Sequence, residues 1–228
     1  MGDTTDHPGL REKIIPTYEV GCKRILITNK WIPTMKRDNV HLITNKVNKI
    51  SKDSVITPKE TIKPDVLIYA TGFKALDFLD PISNKIKGRD QSLLEFWDGW
   101  PRAFHGVTVT GFPNFFMTYG PNTNLGTGSI IFNLECQTDY IMKCINTTHA
   151  KKAASLDVKL KPFDEHNQKV QDDLNRMVWV GGCTSWYKKG GRVSNNLNSS
   201  CTRYWLSMQG FVSESEYNFE KRDDKPLS

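Results

Sequence analysis

Two adjacent cations, Lys23 and Arg24, open a short run of apolar and β-branched residues, Ile25-Leu26-Ile27-Thr28. On a strand, neighbouring side chains face opposite ways, so the pair offers one cation to each face. A guanidinium cannot give up its proton at working pH. Arg24 therefore suits chemistry that needs a fixed positive charge beside a developing anion. Thr71-Gly72-Phe73 ends the apolar run Val66–Ala70, and its glycine lets backbone approach a ligand closely. Asn122-Thr123-Asn124-Leu125 stands ahead of an expected long helix, whose first N–H groups favour partial negative charge. Trp186 stands in a loop rich in Gly and Ser. Each has a plain structural alternative: a surface Arg on an edge strand, a solvated Lys, a strand-to-loop Gly, an Asn-rich cap, a packing Trp.

Other chemistries find no footing. The five histidines (His7, His41, His105, His149, His166) are dispersed and read as surface or hydrogen-bonded residues. The five cysteines form no CxxC, so a zinc or thioredoxin-like site is not expected and free thiols are. No metal site is expected. There is no Walker loop, HExxH or Gly-x-Ser-x-Gly. The nearest fragment of a GxGxxG loop, Gly126-Thr127-Gly128, lacks the third glycine.

Several elements must position these residues. Lys23–Thr28 and Val40–Thr44 are strand candidates. Val47–Ile50 and Ser54–Thr57 read as hairpin pieces. Val66–Ala70 is apolar at consecutive positions, as a strand buried on both faces should be, and it runs into Gly72 in the way α/β folds deliver backbone to a nucleotide. Leu93–Trp97 is a short amphipathic turn. Val107–Val109 and Phe115–Tyr119 are further strand candidates. The spacing of Ile130, Leu134, Ile141 and Ile145 predicts a helix over about 129–145 with those residues on its core face. A second helix is expected over about 163–178, burying Phe163, Val170, Leu174 and Met177, with Asp164 and Glu165 in its first turn. Residues 181–201 read as a loop.

Composition narrows the class. Six Trp, eleven Phe and seven Tyr among 228 residues supply enough apolar bulk to exclude a disordered chain. No apolar run approaches the length that spans a bilayer, and no membrane span is expected. The net charge of +6 is scattered, unlike the basic face of most nucleic-acid proteins. An anionic dinucleotide accounts for a local basic excess equally well. The polar, acidic N-terminus resembles neither a signal nor a transit peptide, so a cytoplasmic location is expected.

In order along the chain, Gly21-Cys22-Lys23-Arg24-Ile25-Leu26-Ile27, Asn39-Val40-His41-Leu42, Asp65–Phe73, Gly106-Val107-Thr108-Val109, Gly111-Phe112-Pro113-Asn114, Gly120–Leu125 and Cys183-Thr184-Ser185-Trp186-Tyr187 resemble the C-terminal half of Baeyer–Villiger monooxygenases, within the flavin-containing monooxygenase superfamily. The resemblance runs from about His7 to Tyr217. It implies an α/β, Rossmann-like flavoprotein with two dinucleotide-binding domains, truncated so that both glycine loops are lacking. Residues 1–19 would be a lead-in, 20–70 the end of the NADP-binding domain, and 71–228 the end of the FAD-binding domain.

The resemblance implies FAD and NADPH as cofactors, O₂ and a small organic ketone as reactants, and insertion of oxygen beside the carbonyl. Ala70-Thr71-Gly72-Phe73 with Phe78-Leu79-Asp80-Pro81 points to this branch over N- or S-oxidation. By the same resemblance Arg24 reaches the flavin and stabilises its anionic peroxide, and Lys23 lies near the 2′-phosphate of NADPH. Thr71, Gly72 and Phe73 form the domain-crossing turn against cofactor. Asn122, Thr123, Asn124 and Leu125 close over the isoalloxazine, and Trp186 covers the nicotinamide. Leu197-Asn198-Ser199 departs from the family's Trp-Pro-Gly. A chain without glycine loops is also readable as a non-catalytic remnant, or as a half that works only with a missing N-terminal half. A basic nucleic-acid module is the weakest alternative.

Overall fold

The computed structural model describes residues 7, 9–74, 76–80, 82–182 and 187–221. They fall into two units: one of residues up to Glu19 with Ile25–Phe73, and one of Val20–Arg24 with Lys74 onward.

The first unit holds α1 (Leu10–Ile14), α2 (Trp31–Met35) and the antiparallel strands β1 (Lys49–Ile50), β2 (Val55–Ile56) and β3 (Thr61–Ile62), in the order β1-β2-β3. Register pairs Lys49 with Ile56 and Val55 with Ile62. The hairpin pieces expected around 47–57 therefore form, with β3 added. The candidates Lys23–Thr28, Val40–Thr44 and Val66–Ala70 do not pair as strands. The last was expected to be buried on both faces. Instead Ile68 is 83% exposed, and Ile27 in the first candidate is 97% exposed. Apolar sequence prepares a segment for burial, but to be buried as a strand it needs neighbouring strands to take up its N–H and C=O groups.

The second unit contains α3 (Leu93–Trp97), α4 (Ile130–Ala150), β4 (Ala153–Val158), α5 (Leu160–Leu174), a 3₁₀ turn (Val178–Val180), β5 (Lys188–Lys189), β6 (Arg192–Val193), α6 (Cys201–Ser207) and β7 (Tyr217–Lys221). α3 starts with a capping box, in which Ser92 Oγ accepts from Glu95 N–H and the Glu95 carboxylate accepts from Ser92 N–H. α5 begins at Leu160, earlier than expected. Pro162 is tolerated there because first-turn N–H groups have no helical partner. Phe163, Val170 and Leu174 are buried as expected, while the helix ends before Met177. Val107–Val109 and Phe115–Tyr119 are not strands; Phe104 and Thr108 make an isolated bridge across a turn.

α4 bears out its expected face only in part. Ile130 and Ile141 are partly buried against the core, but Ile145 is exposed, and the fully buried residues are Asn133, Cys136, Gln137, Tyr140 and Cys144. The polar groups go inward because partners wait there. Gln137 Nε2 donates to Tyr204 Oη (2.8 Å), and the Tyr140 and Tyr217 hydroxyls meet at 2.9 Å. A buried hydrogen-bonded amide is tolerated where an unpaired one is not.

β4 pairs antiparallel with β7, Val158 facing Tyr217. These strands close a core of Leu93, Trp97, Phe104, Val107, Phe112 and Phe163, among others. Phe96 stands edge-on to both Phe112 and Phe163, at 5.8 Å in each case. Cys136, Cys144 and Cys201 carry free thiols, as expected; Cys22 does not, being disulfide-bonded. Its side chain is buried, out of contact with solvent.

Candidate functional site

Asn122, Thr123, Asn124 and Leu125 are all buried, Thr123 to 1% exposure. A second buried stretch, Ser194–Leu197, runs beside them. Asn122 N–H donates to Ser194 O (2.9 Å), Asn124 N–H to Asn195 O (3.0 Å), and Leu197 N–H to Asn124 O (2.7 Å). Asn124 and Asn196 form a parallel bridge. The Asn122 side-chain amide donates to the carbonyls of Val193 (2.8 Å) and Asn196 (3.1 Å). Asn122 takes a left-handed φ of 58°, which Asn tolerates better than most residues.

This corrects the expectation of free N–H groups at a helix start. α4 begins at Ile130 with Ser129 as its cap, close to the expected start, and so its first N–H groups lie beyond the segment. The N–H groups of Asn122 and Asn124 are already used by Ser194 and Asn195. Leu197, where the sequence departs from Trp-Pro-Gly, is one of the residues that pin the segment.

Arg24 meets the same segment. Its Nη2 donates to Leu125 O at 3.1 Å. Arg24 is itself exposed, and among the described residues its other donors make no hydrogen bond or ion pair. Tyr119 joins from the other side: its hydroxyl donates to Asn124 Oδ1 (2.7 Å), and its N–H donates to Gln137 Oε1 (2.8 Å). Burial raises the Tyr119 phenol above its ordinary range, while the charge of Arg24 pulls the other way.

Two glycines let the backbone close behind the segment. Gly106 has φ 71°, and a Cβ there would collide with Thr123 Cγ2. A Cβ on Gly120 would collide with the Gly106 carbonyl. Three buried polar atoms in this region find no partner: Asn133 Oδ1, Ser194 Oγ and Asn196 Nδ2.

The structure thus brings Arg24 and Asn122–Leu125 together. Lys23 is exposed next to Arg24. Thr71, Gly72 and Phe73 belong to the first unit and are exposed, Phe73 to 96%. Gly72 has φ 84°, the left-handed turn for which glycine is suited. Trp186 lies outside the described residues. Tyr119, Gln137 and Ser194–Asn196 were not singled out from the sequence. For Tyr119 a signal existed, an aromatic directly before Gly120-Pro121-Asn122. For the run Ser194–Asn196 none did, because composition marks it as exposed loop.

A permanent cation with open donors, held on the carbonyl of a buried, hydrogen-bonded segment, suits an anionic group. The N–H groups of Asn122 and Asn124 do not contribute to that fit. Among the described residues no group of three or more His, Cys, Asp or Glu is placed to hold a metal, and no helix is long and apolar enough to cross a membrane.

No family model matches the chain. Individual proteins do. The FAD-binding monooxygenase ktnD of Aspergillus niger is 36% identical over 206 residues, covering 87% of this chain and 34% of that protein. A Baeyer–Villiger monooxygenase of Pseudomonas aeruginosa is 36% identical over 184 residues, covering 79% of this chain and 34% of that protein. Among solved structures, a cyclohexanone monooxygenase from Rhodococcus bound to NADP+ superposes with a TM-score of 0.80 at 24% identity, covering 95% of this chain and 42% of that one. A steroid monooxygenase bound to NADP gives 0.78 at 23%, covering 95% and 43%; these two show likeness of fold. In sequence the chain is similar to Baeyer–Villiger and other FAD-binding monooxygenases, and it spans about a third of the length of the curated relatives it matches.

Proposed function

We propose that this chain supplies the Arg24 and Asn122–Leu125 part of an NADPH- and FAD-dependent Baeyer–Villiger monooxygenase, working with glycine loops that its sequence does not contain. When bound, the flavin and nicotinamide supply reduction of O₂, one atom entering beside a ketone carbonyl to give an ester or lactone and the other leaving as water.

The observation that carries the reading is the bond from Arg24 Nη2 to Leu125 O. It sets a cation that cannot deprotonate against a buried segment whose backbone is hydrogen-bonded to Ser194–Leu197. A charge fixed in advance stabilises a developing anion without reorganising during the reaction. Tyr119 holds the Asn124 amide, and Gln137 holds the Tyr119 backbone. Lys23 would serve the phosphate of NADPH, and Thr71–Phe73 would line cofactor. Trp186 would cover the nicotinamide.

The exposed apolar side chains of Ile27, Ile68 and Phe73 favour a half that needs a complement over an autonomous enzyme. Exposed apolar runs with unpaired backbone invite further strands. The test uses two preparations: the chain alone, and the chain co-expressed with a polypeptide carrying the two glycine loops of a relative. Flavin absorbance near about 450 nm and ketone-dependent NADPH oxidation are expected in the second. Both signals in the chain alone would overturn the complementing-half reading. Neither signal in either preparation would overturn the monooxygenase reading.

A further inference from the structure

The second unit also contains a cavity of about 290 Å³ between α5, α6 and the turn at His105–Gly106, with Lys169, Arg203, His166, Asp173, Val170 and Leu197 in its lining. We propose that it binds a small organic oxyanion, a carboxylate or phosphate carried on a short apolar body. The proposal does not rest on the flavin reading; the cavity shares only Asn122 with the segment assigned there.

Charge is the first argument. Neither Lys169 nor Arg203 has an ion-pair partner or a side-chain hydrogen bond among the described residues, whereas Arg89 and Lys151 are both paired with carboxylates. The one carboxylate in the lining, Asp173, already accepts from Asn198 Nδ2 at 2.8 Å. Two cations against one engaged carboxylate leave the lining net positive, which attracts an anion.

Proton placement is the second. His166 Nε2 accepts the His105 N–H at 3.2 Å, so in the neutral ring the proton sits on Nδ1. That Nδ1–H has no acceptor among the described residues. Burial holds the ring neutral, with its pKa lowered to about 4. His166 is therefore a donor without a charge of its own.

The hydroxyls of the lining are largely engaged. Ser207 Oγ donates to Tyr204 O (2.6 Å), and Tyr204 Oη donates to His105 O (2.7 Å) while accepting from Gln137. With the Ser207 and Tyr204 protons already given away, the spare donors of the lining are Lys169, Arg203 and the His166 Nδ1–H; two of the three are cations, which favours an oxyanion over a cation. Val170 and Leu197 add an apolar wall. The volume lies at the lower end for ligand pockets, which limits the body to a few carbons.

The test titrates the full chain at constant ionic strength with inorganic phosphate, butyrate and butylammonium in turn. The imidazole signal of His166 is followed by NMR. Phosphate or butyrate should give a saturable shift, and whichever of the two binds identifies the headgroup. In a Lys169→Ala/Arg203→Ala variant, whose far-ultraviolet circular dichroism should be unchanged because both side chains are exposed, that binding should weaken about tenfold or more. The proposal is overturned by no saturable shift with either anion, by equal affinity in the double variant, or by an equal response to butylammonium.

Discussion

Arg24 Nη2 donates to Leu125 O at 3.1 Å, joining residues 101 positions apart. The bond uses one donor of the guanidinium and leaves the rest of its fork open. It ties a solvent-facing cation to a segment whose own backbone is bonded to Ser194–Leu197. A flexible arginine is thereby aimed.

Because Arg24 is exposed, its removal should hardly affect folding. Arg24→Ala is expected to change unfolding free energy by less than about 1 kcal/mol. In the assembled enzyme it should lower ester formation by about a hundredfold or more. Arg24→Lys should recover little, since an ammonium does not reproduce the planar fork. Denaturant melts of the chain and product assays of the assembly measure the two effects separately.

Gln137 should behave in the opposite way. It is fully buried, and its amide serves both Tyr119 N–H and Tyr204 Oη. Gln137→Leu keeps the bulk but strands the Tyr119 N–H, at a cost of about 1–3 kcal/mol. Urea unfolding reads this directly, and wild-type stability in the variant would refute the bonding described for α4.

Gly106→Ala meets two obstacles, a φ of 71° and a collision with Thr123 Cγ2. A loss of about 2 kcal/mol or more is expected. Gly99 has φ 74° but open space around its Cβ position. Gly99→Ala should therefore be milder, and the difference between the two melts isolates the steric part.

Stability should fall on mild acidification. Burial lowers His105 to about 3 and His166 to about 4, from an ordinary 6.5. Below 6.5 the unfolded chain takes up protons that the folded chain refuses. The stabilisation is thus complete above 6.5 and is lost as pH falls towards the folded values. The loss should reach about a few kcal/mol. Glu216, raised by burial, opposes it in part. Unfolding free energy measured from pH 6.5 down to 4.5 should decline, and the decline should flatten in His166→Gln. A flat wild-type profile would contradict it.

The chain alone should bind a hydrophobic dye. Ile27, Ile68 and Phe73 are 97%, 83% and 96% exposed. Replacing them with Lys, Lys and Ser should reduce the dye signal without lowering thermal stability, since buried contacts are not lost. Loss of stability in the triple variant would mean that these side chains are packed.

Local sequence was sufficient where neighbours along the chain decide the outcome. Ser92 and Glu95 specify their own helix start, and the spacing of Phe163, Val170 and Leu174 marks the buried face of α5. Motif order was sufficient to bring Arg24 and Asn122–Leu125 under suspicion together. Partners distant in sequence decided the rest. β4 and β7 pair across roughly sixty residues, and neither run announces its mate. α4 turns Asn133 and Gln137 inward because Thr123 O, Tyr119 N–H and Tyr204 Oη are there to receive them. Val66–Ala70 is apolar enough for a core strand but stays exposed, since among the described residues no strand pairs with its backbone. Periodicity reports what a side chain prefers; whether its polar groups and its backbone find partners is settled only when the chain has folded.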